Sequence, residues 1–135
     1  MKENPGIGKM IRVHFLSSII APIILGTLLA VHLNGKLEVL NFIIVLITGI
    51  GLHVATNVYN DIYDTIQGTD KVNVHRNEAS GGSGVLLDNP ELMGRMFFLA
   101  RSGLVIAFLG TIALMPLVDK SLWIYLWGLY LLSAF

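Results

Sequence analysis

Long apolar stretches without charge divide this chain into segments separated by short polar ones. Charge is absent from three stretches, which lie between Arg12 and Lys36, between Glu38 and Asp61, and between Arg101 and Asp119. A helix needs about 20 mostly apolar residues to cross a bilayer, and the first two stretches meet that length. The third meets it when the apolar residues 96–100 are added, because an arginine near a helix end can extend its side chain to the interface.

This pattern predicts an all-α fold, a polytopic transmembrane helical bundle in a single domain. The predicted spans cover about residues 10–33, 37–60, 92–116 and 121–135, and a polar loop covers about 67–89. The last apolar run reaches Phe135 without a closing polar residue. Helix carbonyls that end inside hydrocarbon lack partners, so we expect a further segment or a partner chain to complete this span.

Composition supports a chain solvated mainly by lipid. Hydrophobic residues make up 54% of the 135 residues and charged residues only 13%, against about a quarter charged residues in soluble domains. The net charge is zero, which argues against nucleic-acid binding, because that needs a concentrated basic face. Cysteine is absent, so disulfides and thiolate metal sites are excluded.

Positive charges predict the orientation in the membrane. Seven of the nine lysine and arginine residues precede the first span or lie in or next to the 67–89 loop, and only Lys36 and Lys120 fall on the other side. By the positive-inside rule, the N-terminus and the 67–89 loop face the cytoplasm. We therefore expect a multi-pass protein of the cell membrane.

Polar residues accumulate where the second span leaves the membrane. At about 100° per residue, one stripe of the helix carries His53, Asn57, Asn60, Asp61 and Asp64. Gly68 then lets the chain leave the helix, so that Asp70 can fold back toward the carboxylates. Mg²⁺ takes oxygen ligands and is usually held by one or two carboxylates plus substrate phosphate. We therefore expect Asp61, Asp64 and Asp70 to hold Mg²⁺ against a diphosphate.

Groups suited to phosphate surround these acids. The amides of Asn57 and Asn60 can donate hydrogen bonds to phosphate oxygens, and Lys71 and Arg76 can neutralise the remaining charge. The competing interpretation is that these residues are only the solvated end of a helix. Against it, His53 and Asn57 lie inside the apolar run, where polar groups are costly and usually face a functional interior.

The acidic segment resembles the first aspartate-rich motif of the intramembrane (UbiA-type) prenyltransferases, through N-D-x-x-D at 60–64 and G-x-D-K at 68–71. The interval before Asp70 is most similar to the 1,4-dihydroxy-2-naphthoate polyprenyltransferase branch of menaquinone biosynthesis. The Pro22 to Gly26 segment of the first span is similar to a Pro…Leu-Gly element in the first helix of that branch.

The resemblance implies helices around a cavity that opens to the cytoplasm, with this chain supplying the N-terminal four helices of a larger fold. It implies Mg²⁺-dependent transfer of a polyprenyl group from an isoprenyl diphosphate to an aromatic acceptor such as 1,4-dihydroxy-2-naphthoate. Carried onto this chain, the motif assigns two catalytic metal ligands, a further metal ligand and two diphosphate contacts, which are Asp61 and Asp64, then Asp70, then Asn57 and Asn60. Arg76 corresponds to a basic residue that often follows the motif. The second aspartate-rich motif of the family has no counterpart here, so we expect these 135 residues to be inactive without a C-terminal half.

Other interpretations stay open at this point. An intramembrane polar stripe also suits one half of a cation-binding transporter, although such transporters tend to have helices broken at the midplane. A CDP-alcohol phosphotransferase fits less well, because its motif has glycine directly after the first aspartate. The Ser80–Gly84 run is either a flexible loop or a phosphate-binding backbone, and it lacks the Gly-Lys-Ser/Thr ending of a P-loop.

Overall fold

The computed structural model describes residues 5–69, 82–117 and 119. Within these ranges the chain contains no strand. The helices are α1 (Ile7–Met10), α2 (Ser17–Asn34), α3 (Val39–Gln67), α4 (Val85–Asp88) and α5 (Met93–Leu114), and 3₁₀ turns cover Val13–Leu16, Pro90–Leu92 and Met115–Leu117. The predicted all-α helical fold is confirmed.

Three helical segments are long and apolar enough to cross a membrane, namely Val13–Asn34, Val39–Gln67 and Pro90–Leu117. Their outer faces carry large apolar side chains, and Leu25, Leu33 and Leu40 each keep 69% or more of their surface exposed. Extended apolar surface of this kind is unfavourable in water and suits contact with lipid. The predicted fourth span, 121–135, lies outside the described residues.

The first two spans have boundaries that differ from the predicted ones. The first begins at Val13 rather than near residue 10, because Arg12 has a left-handed backbone (φ 53°, ψ 55°) that separates it from α1. The helix of the second span, α3, continues past residue 60 to Gln67, and Gly68 ends it with φ 79°, as the helical stripe to Asp64 required. The third helical segment covers Pro90–Leu117, where the predicted span covers about 92–116.

Glycine and an ion pair shape the turn between α2 and α3. Gly35 ends α2 with φ 73°, and its N–H donates to the Val31 carbonyl, which is the usual geometry of a helix C-terminus. Lys36 then pairs with Glu38. The hydrogen bond to Glu38, helped by its negative charge, raises the pKa of Lys36. Lys36 therefore stays positively charged at neutral pH.

Small residues form the interface between α3 and α5. Gly51 and Gly103 approach so closely that a β-carbon on Gly103 would lie 2.6 Å from the Gly51 carbonyl oxygen. Further along, Gly110 lies against Thr48, so the two helices run antiparallel. Small residues let helix backbones approach in lipid, where van der Waals packing replaces the hydrophobic effect as the driving force.

The buried core lies at the end of α3 that carries the acidic residues. Its fully or almost fully buried side chains come from α1, α3, α4 and α5, and they are Met10, Val58, Ile62, Val85, Leu86, Met96 and Ala100. Each large aliphatic side chain removed from water contributes about 1.5–3 kcal/mol. This cluster therefore fixes the N-terminal segment and the segment 82–89 against the end of α3.

Threonine hydroxyls inside the helices are satisfied locally. Five threonines donate to the carbonyl four residues earlier, and they are Thr27, Thr48, Thr56, Thr65 and Thr111. Such bonding is helix-internal, and it gives these five hydroxyls a partner within the protein, which polar groups need in hydrocarbon.

The close approach at Gly103 predicts an unusual response to alanine. Alanine is a better helix former than glycine, yet Gly103→Ala places a β-carbon against the backbone of α3 and should lower the free energy of unfolding by about 1–3 kcal/mol. The matched control is Gly94→Ala in the same helix, where nothing lies within 4 Å of the added carbon. Unfolding in detergent followed by circular dichroism measures both. Equal midpoints for the two variants would contradict the packing described here.

Candidate functional site

The polar stripe lies at one end of α3, at the level where a membrane helix meets the headgroups. α3 has 29 residues, which corresponds to roughly 43 Å of helix against a hydrocarbon thickness of about 30 Å. When α3 enters the hydrocarbon at Val39, about 20 residues bring it out near Val58. His53 then lies inside the apolar layer, whereas Asp61 and Asp64 lie just beyond it.

Asp61 is a buried carboxylate with two kinds of partner. Only 2% of the residue is exposed. The backbone N–H of Ser83 donates to both carboxylate oxygens, at 3.0 and 3.1 Å, and the guanidinium of Arg12 lies 3.9 Å from Oδ1. A buried charge is tolerated only when it is paired and hydrogen-bonded, so Asp61 binds the N-terminal segment and the segment after the polar loop to α3.

The geometry of Ser83 depends on the glycines beside it. Gly82 and Gly84 have φ values of 74° and 69°, a left-handed conformation that is favourable only for glycine. The Ser83 hydroxyl accepts the N–H of Val85, and Val85 is buried in the core. In its described part, the Ser80–Gly84 run thus presents a backbone N–H to an anion, and that anion is the carboxylate of Asp61.

Arg12 reaches Asp61 through a strained piece of backbone. Among the described residues it is the only non-glycine residue with positive φ, a conformation that costs of order 1–3 kcal/mol and is concentrated at functional sites. Its guanidinium also lies 4.4 Å from the centre of the Phe15 ring, within range of a cation–π interaction. Met10, just before it, is completely buried. In the sequence Arg12 is only one of the positive charges near the start of the first span, and no pattern around it indicates this contact.

Asp64 lies one turn further along the same stripe and is held by an amide. Asn60 Nδ2 donates to Asp64 Oδ2 at 2.7 Å. Asp64 is half-buried and Asn60 is exposed. This bond orients the carboxylate, which can still accept further ligands because each carboxylate has about four lone-pair sites.

α3 carries carboxylate oxygens of the kind that Mg²⁺ takes in sites completed by substrate. One or two carboxylates with phosphate oxygens and water complete the usual shell, and Asp61 and Asp64 supply two. Residues 5–69 and 82–117 contain no group of three histidine, cysteine, aspartate or glutamate side chains that could hold a metal alone. The third predicted ligand, Asp70, lies outside the described residues, as do the predicted diphosphate contacts Lys71 and Arg76.

Two polar atoms deeper on the stripe are buried without a partner. They are His53 Nε2 and Asn57 Nδ2, and neither has a hydrogen bond within the described part of the chain. Leaving a buried polar group unsatisfied costs about 1–3 kcal/mol, and native structures rarely tolerate it without a functional reason. The stripe thus combines paired carboxylates at its end with unpaired nitrogen atoms one and two turns below Asp61.

A groove between α2 and α3 lies far from this stripe. It has a volume of about 770 Å³ and is lined by residues that include Pro22, Gly26, Lys36 and Phe42. These residues lie toward the turn between the two helices, at the opposite end of α3 from Asp61. The groove therefore plays no part in the candidate site.

Comparison with known proteins gives no independent assignment. The chain matches no protein-family model, no curated protein and no solved structure. The resemblance to the intramembrane prenyltransferases therefore depends on the motif residues themselves, and the function follows from the site as a proposal.

Proposed function

We propose that this chain forms part of a membrane prenyltransferase that moves a polyprenyl group from an isoprenyl diphosphate to an aromatic acceptor. The observation that carries the proposal is the composition of the stripe on α3. Two carboxylates, Asp61 and Asp64, stand at the headgroup level. The amide nitrogen of Asn57, which has no hydrogen-bond partner among the described residues, lies one turn deeper. A diphosphate bridged to the protein by a cation needs such acceptors for the cation and donors for its own oxygens.

The acidic residues would hold Mg²⁺ through carboxylate oxygen. When bound, the ion withdraws charge from the diphosphate and makes it a better leaving group. Asp64, oriented by Asn60, offers the more accessible of the two carboxylates. Asp61, fixed by the Ser83 N–H, offers the more rigid one.

The remaining residues of the stripe would bind the diphosphate and protect the reaction. Asn57 Nδ2 can donate a hydrogen bond to a phosphate oxygen. That hydrogen bond strengthens as negative charge develops on the leaving group. The bond between the prenyl carbon and the diphosphate oxygen breaks with its electron pair on the oxygen. The allylic cation is then attacked by the electron-rich ring. The apolar layer around His53 excludes water, which would otherwise capture that cation.

The acceptor class comes from the resemblance of the motif at 60–71. Its interval before Asp70 is most similar to the naphthoate branch, so 1,4-dihydroxy-2-naphthoate is the acceptor that we propose. In that branch the ring carboxylate is lost as carbon dioxide when the prenyl group is added. The product would enter menaquinone biosynthesis.

A continuous helix favours this function over a cation transporter. Transporter sites of the proposed kind use helices that are unwound near the midplane, whose free backbone groups coordinate the ion. α3 runs without a break from Val39 to Gln67, and its carboxylates lie at its end. The position of the acids suits a headgroup-level diphosphate better than a site in the middle of the membrane.

Removing one metal ligand tests the proposed chemistry. In the protein expressed from its complete gene, Asp64→Asn should lower prenyl transfer by at least about 100-fold, since it removes a charge that holds the cation. Membranes supplied with labelled isoprenyl diphosphate, naphthoate acceptor and Mg²⁺ provide the assay. The matched control, Glu91→Gln, removes an exposed acid away from the stripe and should retain activity. Wild-type turnover in Asp64→Asn would exclude the metal role.

The unpartnered amide of Asn57 gives a stability test. Replacing it with leucine removes an unsatisfied donor from an apolar site, so Asn57→Leu should leave the free energy of unfolding unchanged or raise it by about 1–3 kcal/mol. The same variant should lose activity with the diphosphate substrate. Thermal unfolding in detergent checks the first expectation. Asn60→Leu, which makes the same replacement at an exposed position, is measured for comparison. A clear loss of stability in Asn57→Leu would show that Asn57 is a structural hydrogen-bonding residue.

The orientation is tested with single cysteines, which is straightforward because the chain has none of its own. By the distribution of positive charge, Thr69→Cys should face the cytoplasm and Lys36→Cys the outside. A membrane-impermeant maleimide added to intact cells should label the second and spare the first. The reverse pattern would place the acidic stripe on the outer side and contradict a cytoplasmic diphosphate substrate.

A further inference from the structure

We infer that Arg12 is the resident counter-ion of Asp61, and that a divalent cation bound at Asp61 releases the N-terminal segment, residues 5–12, from the end of α3. Arg12 is then a positioning residue, because it holds residues 5–12 against Asp61 until a metal ion binds there. The release step rests on the proposed metal site, whereas the attachment of the segment to Asp61 does not. The two parts can therefore fail separately.

The attachment follows from three features of Arg12. Its guanidinium lies 3.9 Å from Oδ1 of Asp61, and the two side chains are 11% and 3% exposed. Ions so far out of water interact more strongly than a surface pair. The positive φ of Arg12 is unfavourable by itself, so a favourable interaction has to maintain it, and the contact with Asp61 supplies one.

Competition follows from the positions of the charges. Mg²⁺ binds a carboxylate oxygen at about 2.0–2.1 Å, so an ion on Oδ1 would lie no more than about 6 Å from the Arg12 nitrogen that is 3.9 Å from the same atom. Two positive charges at that separation repel each other in a site with little water. The strained backbone of Arg12 favours the same direction of change, because leaving Asp61 lets the residue adopt an ordinary conformation.

The second partner of Asp61 does not share this conflict. Ser83 contacts the carboxylate through a neutral N–H, which repels a cation much less than a guanidinium charge does. The segment 82–89 is also held by two buried side chains, Val85 and Leu86, whereas residues 5–12 have one, Met10. Cation binding should therefore loosen the N-terminal side of the site and leave the other side in place.

A spin label on α1 tests the attachment. Ile7 is 51% exposed, and the chain has no cysteine, so Ile7→Cys can carry a single nitroxide in lipid nanodiscs. With chelator present, the label should be immobilised in the parent protein and mobile in Arg12→Gln and in Asp61→Asn. Lys9→Gln removes the same charge from an exposed position in α1 and should stay immobilised. A label that remains immobilised in both Arg12→Gln and Asp61→Asn overturns the inference.

Cation binding tests the release. Adding Mg²⁺ to the labelled parent protein should mobilise the label as Arg12→Gln does. Coupling between two sites is reciprocal, so Arg12 must weaken cation binding as the cation weakens the Arg12 contact. The Kd of Arg12→Gln for Mn²⁺ should therefore be lower than that of Lys9→Gln by roughly fivefold or more. Both values are measured on unlabelled protein from the signal of free Mn²⁺.

The outcomes separate this inference from the proposed function. Equal Mn²⁺ affinity in Arg12→Gln and Lys9→Gln, with clear binding in both, overturns the competition and leaves the metal site intact. Absence of Mn²⁺ binding in the parent protein, with the label already free in Asp61→Asn, contradicts the metal site and the release step together. Mobilisation by Mg²⁺ with tighter Mn²⁺ binding in Arg12→Gln supports both.

Discussion

A carboxylate buried at the end of an apolar helix constrains the whole of this end of the molecule. Asp61 is almost completely enclosed, and an isolated charge there would be far too costly to keep. Its compensation comes from residues distant in sequence, the guanidinium of Arg12 and the N–H of Ser83. Both can reach it only because the segments that carry them are packed against α3. The folding of the N-terminal segment and of residues 82–89 is thus tied to one charged group.

The position of that carboxylate depends in turn on how closely α3 and α5 approach. Gly51 and Gly103 bring the two backbones together in the membrane part of the pair, and the larger Val58, Ile62 and Met96 fill the space toward the acidic end. Small residues therefore set the separation of the helices, and large ones fill the core at the acidic end. With α3 held in this way, the polar stripe is presented on a fixed helix.

The sequence was sufficient for the features that depend on local pattern. Charge-free stretches predicted the helical spans, and the 100° spacing predicted that His53, Asn57 and Asp61 share a stripe. Gly68 was expected to end the second helix, and it does so with positive φ. Each of these features is determined by residues that are neighbours along one helix, which is why a pattern in one chain reveals them.

Contacts between distant segments could not be predicted in the same way. Nothing in the residues around Arg12 indicates that the chain turns left-handed there, and its charged partner, Asp61, lies 49 positions later. The role of Ser83 was left open between a loop and an anion site for the same reason. The glycines beside it permit the required backbone, but the identity of the anion depends on packing. The metal site predicted at Asp61, Asp64 and Asp70 stays a prediction, and Asp70 falls outside the described residues.

The stripe contains two kinds of polar group, and a ligand would interact with each kind in a different way. Asp61 is already satisfied, so a ligand gains there only by exchange, replacing one positive partner with another. His53 and Asn57 have buried nitrogen atoms without partners in the described part of the chain. A ligand that brings acceptors would therefore gain the full benefit of a hydrogen bond from the Asn57 amide, and from His53 in the tautomer protonated at Nε2, at no cost in existing contacts. A cation alone can use only the first kind. A cation together with a diphosphate can use both, since it offers positive charge to the carboxylates and acceptor oxygens to the nitrogen donors below them. The combination of paired acids and unpaired donors on one helix face is therefore better matched by a metal-bound diphosphate than by an ion in transit.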